Sequence, residues 1–197
     1  MNLKVERIVR NSFISLCSRF SLALTGIISK ENDWYCGLVS LLTTTQSVFP
    51  EVECADHCAE KPPIKIFSFK ENRGPAKPRN WLAQKSLGSL LFFLDIDTKM
   101  ETDCLSLASR RLLSDQNLGG LQTALLKEDG SSETAGHFIS PIGFPYEVSS
   151  SREESLIFGA RTAGLILRKD VFDQIQGFDE DYLIYGEDTD LCWRVWL

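Results

Sequence analysis

Ser89-Leu90-Leu91-Phe92-Phe93-Leu94-Asp95-Ile96-Asp97-Thr98-Lys99 is the stretch whose reading decides the fold. Its residues 90–94 are apolar without a break, follow Gly88 and end abruptly at a carboxylate. A short apolar run behind a glycine predicts a strand buried on both faces. In open α/β sheets, ligands bind beyond the carboxyl ends of such strands. Asp95 and Asp97 stand there. Residues two apart in extended backbone project to the same side, so the two carboxylates can converge on one cation. Oxygen-only ligands suit Mg2+ or Mn2+ better than Zn2+. The competing interpretation is a strand end with two solvated acids, because Asp-x-Asp is short enough to recur by chance.

Composition narrows the classes. A chain of 197 residues, 43% hydrophobic and 24% charged, is the size and texture of one globular domain. A net charge of -6 argues against a nucleic-acid binder that relies on a general basic field. Six cysteines (Cys17, Cys36, Cys54, Cys58, Cys104, Cys192) are scattered, and Cys54-x-x-x-Cys58 is the close pair among them. His57 lies inside that pair and His137 is the other histidine, so no zinc spacing is completed. Reduced thiols in a cytoplasmic protein are the expectation. Residues 1–10 are basic on balance and residues 12–29 fairly apolar, but Arg19 interrupts a run too short to span a bilayer. Residues 1–21 are therefore expected to be a variable leader, and residues 22–197 one domain.

Along the chain, residues 22–29 read as a first buried strand. Asn32 or Asp33 can cap a helix with Trp34, Leu38, Leu41 and Leu42 on its apolar face. Residues 52–56 read as a short strand ending in Asp56, and residues 64–69 as an edge-like strand by their alternation. After Asn72-Arg73-Gly74-Pro75 a helix is expected, with Pro78 tolerated in its first turn and Gly88 as its stop. Residues 101–114 place Leu105, Ala108, Leu112 and Leu113 on one helical face. This alternation predicts an α/β fold with a mostly parallel central sheet flanked by helices. Turn signals at Gly119-Gly120, Asp129-Gly130 and Ser149-Ser150 predict short strands and loop, not helix, across residues 118–155. Residues 169–176 read as a short helix stopped by Gly177. The acids of Gly186-Glu187-Asp188-Thr189-Asp190 precede a last helix starting at Leu191, with Asp190 as the candidate cap.

Three segments carry a resemblance: Glu71-Asn72-Arg73-Gly74-Pro75-Ala76-Lys77-Pro78-Arg79-Asn80, Leu91-Phe92-Phe93-Leu94-Asp95-Ile96-Asp97-Thr98, and Arg168-Lys169-Asp170-Val171-Phe172 through Gly177-Phe178-Asp179-Glu180 to Gly186-Glu187-Asp188-Thr189-Asp190-Leu191-Cys192-Trp193-Arg194. In order and spacing they resemble the family 2 glycosyltransferases, especially the rhamnosyltransferase-like branch. The resemblance implies a GT-A type nucleotide-sugar-binding fold, with the C-terminal part incomplete because family members continue past the position of Leu197. It implies a UDP- or dTDP-sugar donor, a divalent Mn2+ or Mg2+ cofactor and a glycan or lipid-linked acceptor. It also implies inverting transfer in polysaccharide or cell-surface glycan synthesis, in the cytoplasm at the inner face of a membrane, with peripheral membrane association.

By the same match, Asp97 holds the metal, with Asp95 assisting or touching the donor ribose. Asp56 hydrogen-bonds the nucleobase, Arg79 stands near the donor, and Ser29 ends the first strand beside it. A divalent cation would neutralise the charge that develops on the departing phosphate. Asp188 is the general base for the acceptor hydroxyl, with Glu187 the competing choice, and Asp179 and Glu180 border the acceptor. A helix N-terminus beside these acids favours their charged form. This sequence departs from the family at Ser29-Lys30-Glu31, where a Thr-Tyr-Asn type sequence is usual, and around Asp56.

Two other readings fit some of the residues. A non-catalytic nucleotide-binding or interaction module fits the departure at Ser29-Lys30-Glu31 and the early end of the resemblance at Leu197. A haloacid dehalogenase-like phosphatase would use Asp95 as nucleophile and Asp97 as acid/base, but leaves residues 72–80 unexplained.

Overall fold

The computed structural model describes residues 2–6, 22–28, 34–41, 64–69, 73–86, 88–95, 98–101, 103–148, 155–183 and 185–197. Its backbone forms an eight-stranded sheet. In chain order the strands of that sheet are β1 (Asn2–Glu6), β2 (Leu22–Ile28), β3 (Trp34–Leu41), β4 (Ile64–Phe69), β5 (Leu90–Asp95), β6 (Leu118–Thr123), β11 (Ser155–Ile157) and β12 (Leu165–Arg168). Their spatial order is β11-β1-β6-β12-β5-β2-β3-β4. Two small ribbons stand apart from it, β7 (Leu125–Leu126) with β8 (Ser132–Thr134), and β9 (His137–Ile139) with β10 (Pro145–Glu147). The helices are α1 (Ala76–Lys85), α2 (Cys104–Ser114), α3 (Lys169–Gln174) and α4 (Glu187–Trp196).

Strand β5 is the spine, and its pleat divides the core. Alternate side chains of a strand face opposite ways. Leu91 and Phe93 enter one cluster with Ala76 and Ala83 of α1, Val171 and Phe172 of α3, Phe178, and Leu191, Cys192 and Val195 of α4. Leu90 and Phe92 enter the other with Cys104, Ala108 and Leu112 of α2, and with Leu118, Leu121 and Ile166. The unbroken apolar run is thus a strand covered on both faces. Phe93 meets Phe178 edge-on at 5.3 Å between ring centroids and Phe172 at 5.7 Å. Burying each such ring contributes about 1.5–3 kcal/mol.

The sheet is mixed, not mostly parallel. Parallel pairing occurs at β1–β6 and β3–β4, whereas β1–β11, β12–β5, β12–β6, β2–β3 and β2–β5 pair antiparallel. Alternation of strand and helix does produce a crossover: β5 and β6, joined through α2, both run opposite to β12 and so run parallel to each other. They are not neighbours, because β12, arriving later in the chain, inserts between them in reverse. The second correction concerns residues 34–41, expected as a helix. They form β3, which returns beside β2 with Trp34 opposite Ile28 and Ser40 opposite Leu22. Gly37 and the neighbouring Tyr35 and Val39 are poor helix formers, and the helical spacing of the apolar residues did not outweigh them. Residues 2–6, within the expected leader, supply strand β1 between β6 and β11.

Other expectations match. Pro78 sits in the first turn of α1. Gly177 follows α3 with φ +72°, a left-handed conformation that glycine adopts without strain. Residues 118–148 hold strands and turns and no helix. Helix α2 buries Ala108 and Leu112 but leaves Leu113 exposed. Helix α4 begins earlier than expected. Gly186, with φ +92°, turns the chain sharply, and Glu187, Asp188 and Asp190 occupy the first turn. Asp190 is therefore not a cap; it pairs with Arg194 one turn on, at 2.5 Å. Among the described residues no helix is long and apolar enough to cross a membrane.

Candidate functional site

Arg79 is the hub. It lies on α1, is only 5% exposed, and its guanidinium fork spans two carboxylates. Nη1 donates to Glu187 Oε1 at 3.0 Å and Nη2 donates to Asp95 Oδ1 at 3.0 Å. Its carbon centre lies 5.7 Å from the Phe178 ring centroid, a cation–π approach. One arginine therefore joins the end of β5 to the first turn of α4. These are the two segments the sequence marked as acidic. The planar fork suits this two-carboxylate task, because its N–H groups diverge in fixed directions that a lysine ammonium does not hold. Arg79 Nε and Glu187 Oε2 are buried and have no hydrogen-bond partner among the described residues. An orphaned donor and acceptor in one buried site are polar capacity that water or a ligand can satisfy.

Asn80, the next residue, locks the neighbouring loop. Its Nδ2 donates to Phe178 O at 2.8 Å and to Glu180 Oε1 at 3.1 Å, while its Oδ1 accepts the Phe178 N–H at 2.8 Å. Gly177 is required for that approach, since a Cβ there would stand 2.5 Å from Asn80 Oδ1. Gly74 (φ +70°) makes a second close contact, with its absent Cβ position 2.7 Å from the carbonyl oxygen of Leu183. The turn before α1 is thereby packed on the loop before Glu187.

Asp188 follows Glu187 but has a different environment. Glu187 is buried against Arg79, whereas Asp188 is half-buried. Asp188 Oδ1 accepts the N–H of Thr189 at 2.7 Å. Across from it lies His137, 3% exposed, with Nε2 at 3.4 Å from Thr189 Oγ1. Burial lowers the His137 pKa below its ordinary 6.5; Asp188 and Glu147 oppose that shift and Arg161 adds to it. Asp179 and Glu180 are exposed on the loop after Gly177, with Asp179 Oδ1 accepting the Asp181 N–H at 3.0 Å. Burial pushes the thiols of Cys104 and Cys192 up to about 12, which makes both unreactive as nucleophiles.

Of the residues the sequence singled out, Arg79, Asp95 and Glu187 meet directly, Asp188 adjoins them on α4, and Glu180 joins through Asn80. Ser29, Asp56 and Asp97 lie outside the described residues. Strand β2 runs antiparallel to β5, with Ile28 opposite Leu90 and Ala23 opposite Asp95. The ends of these two strands therefore do not converge at one sheet edge. Among the described residues, no three His, Cys, Asp or Glu side chains group to hold a metal ion. Asp95 Oδ1 stands 3.0 Å from the Arg79 guanidinium. Asn80 and His137 received no role from the sequence. Asn80 carried one signal, a weak helix former inside a helix; His137 carried none, because its partner is 52 positions away.

No protein-family model matches the chain, and no solved structure matches it. Over 134 residues it is 28% identical to the O-antigen biosynthesis protein RfbC of Myxococcus xanthus, in an alignment covering 59% of this chain and 10% of that protein. The match thus spans about a tenth of the length of the curated relative.

Proposed function

We propose that the chain is the sugar-transferring part of a polysaccharide biosynthesis enzyme, an inverting glycosyltransferase of the GT-A type that takes its sugar from a UDP- or dTDP-sugar. The observation that carries the proposal is the Arg79 bridge, which gathers Asp95 at a strand end and Glu187 beside Asp188 at a helix start. Similarity to an O-antigen biosynthesis protein supports the same direction.

In this reading, Asp188 accepts the proton of the attacking acceptor hydroxyl. Glu187 is committed to Arg79 and buried, so its role is to hold Arg79 and α4 in place rather than to take a proton. Asp188 is the more accessible of the two acids and is not consumed by an ion pair with Arg79. Single displacement at the anomeric carbon needs donor and base on opposite sides of that carbon. The reading puts the donor on the Asp95 side of the Arg79 bridge and the acceptor on the Asp188 side. A divalent cation, Mn2+ or Mg2+, held by Asp97 with Asp95 would supply charge neutralisation at the departing phosphate. Asp179 and Glu180, exposed at the mouth of the loop, are the proposed acceptor contacts, for a glycan or lipid-linked sugar. A phosphatase reading leaves the Arg79–Glu187 pair without a task.

The test is hydrolysis or transfer from a panel of UDP- and dTDP-sugars, with and without Mn2+. Turnover by the wild type, lost in Asp97→Ala and on chelation, is expected. Folded protein that binds none of the donors contradicts the reading.

A further inference from the structure

We propose that His137 is a positioning residue for Asp188, acting through the Thr189 hydroxyl; its catalytic consequence rests on the glycosyl-transfer reading above. The backbone of His137 is pinned on both sides. Its N–H donates to Gly159 O at 2.9 Å, and its carbonyl accepts the N–H groups of Phe158 at 3.1 Å and Gly159 at 3.0 Å. The imidazole fills the space that a side chain at position 159 would need, since a Cβ on Gly159 would overlap the ring. The Phe158 ring backs it at 6.2 Å between centroids. So held, Nε2 faces Thr189 Oγ1 at 3.4 Å, and that hydroxyl stands 3.4 Å from Asp188 Oδ1.

A threonine hydroxyl has one hydrogen to give. With the proton on Nε2, His137 donates to Thr189, and Thr189 donates to Asp188. The result is a chain of donors ending on the carboxylate, parallel to the backbone N–H that Asp188 already accepts. Donors in series reinforce one another in a buried setting. With the proton on Nδ1 the first bond reverses and Asp188 loses the hydroxyl. The tautomer thus decides whether Asp188 Oδ1 accepts the Thr189 N–H alone or the hydroxyl as well. Among the described residues, the charges that act on the imidazole are those of Asp188 on α4, Glu147 on β10 and Arg161 after Gly159. Arg161 is itself paired with Glu147 at 2.6 Å, and it also feels the charge of Asp188. The site has a reason to keep a histidine here that packing alone does not supply.

The experiment is nitrogen-detected NMR of the imidazoles in the full chain, assigned with His137→Gln, in the wild type, Asp188→Asn, Thr189→Val and Thr189→Ser. The wild type is expected to carry the Nε2–H tautomer. Asp188→Asn is expected to move the His137 titration midpoint down, Thr189→Val to change the Nε2 signal, and Thr189→Ser to restore it. In donor turnover, Thr189→Val is expected to lower kcat by up to about a hundredfold, as misorientation of a reacting group does, at unchanged donor KM; Thr189→Ser recovers it. An Nδ1–H tautomer, or a His137 signal indifferent to Asp188→Asn and Thr189→Val, overturns the proposal. So does full turnover in Thr189→Val. A wild type that turns over no donor overturns the functional reading instead, and the NMR comparison still decides whether His137 is coupled to Asp188.

Discussion

Arg79 Nη1 lies 3.0 Å from Glu187 Oε1 across 108 positions of sequence, with both side chains buried. The pair welds α1 to α4, and through Asp95 it welds both to the central strand. Removing one partner of a buried ion pair strands the other charge and costs about 3–5 kcal/mol. Arg79→Ala should therefore lower the unfolding free energy by about that amount, read from denaturant midpoints at constant slope. Arg79→Lys should recover only part of it, because a compact ammonium does not reproduce the two fixed, diverging N–H positions of the guanidinium. A destabilisation no larger than that of an exposed arginine would show that the bridge does not hold the elements together.

Gly177 makes a prediction about the neighbouring loop. Alanine there adds a Cβ 2.5 Å from Asn80 Oδ1 and asks a non-glycine residue to hold φ +72°. Both effects act against the same loop, and the expected loss is about 1–3 kcal/mol. Asn80→Ala should cost a similar amount by leaving the Phe178 N–H and carbonyl unpaired. The double variant should cost less than the sum, because both changes break one contact. Strict additivity, measured by a thermal or denaturant cycle, would contradict the clamp.

How far the sequence could be read follows from the range of each interaction. β5 was legible because burial on both faces writes itself as an unbroken apolar run. α1, α2 and α3 were legible through apolar spacing, Pro78 and Gly177. The place of β12 was not: residues 165–168 look like any buried strand, and only the finished sheet shows them inserted in reverse between β5 and β6. β3 was misread because its apolar residues also fall at helical spacing, and its pairing with β2 is what decides. Within the site, the acids could be named from their motifs, but their pairing with Arg79 could not. Nothing in the sequence says that Glu187 turns inward while Asp188 stays half-buried; that follows from Gly186 starting α4 one residue before them.

His137 predicts how stability depends on pH. Burial holds its folded-state value below the ordinary 6.5, so between the two values the unfolded chain binds the extra proton. Stability from this group is complete above about 6.5 and is lost as pH falls through the lowered folded value. Melting temperature should therefore drop on acidification in that window, and His137→Gln should remove this part of the drop. An identical pH slope in the variant would mean that the imidazole does not titrate differently on folding.

The central claim concerns Asp188 and Glu187, adjacent acids given different tasks. It is tested most directly by comparing single-turnover transfer from a UDP- or dTDP-sugar in Asp188→Asn and wild-type protein, with donor affinity measured by calorimetry on the same samples. The account predicts unchanged donor binding and a rate lower by about 10²–10⁴-fold, the usual contribution of a general base. An Asp188→Asn variant that transfers sugar as fast as the wild type would contradict it.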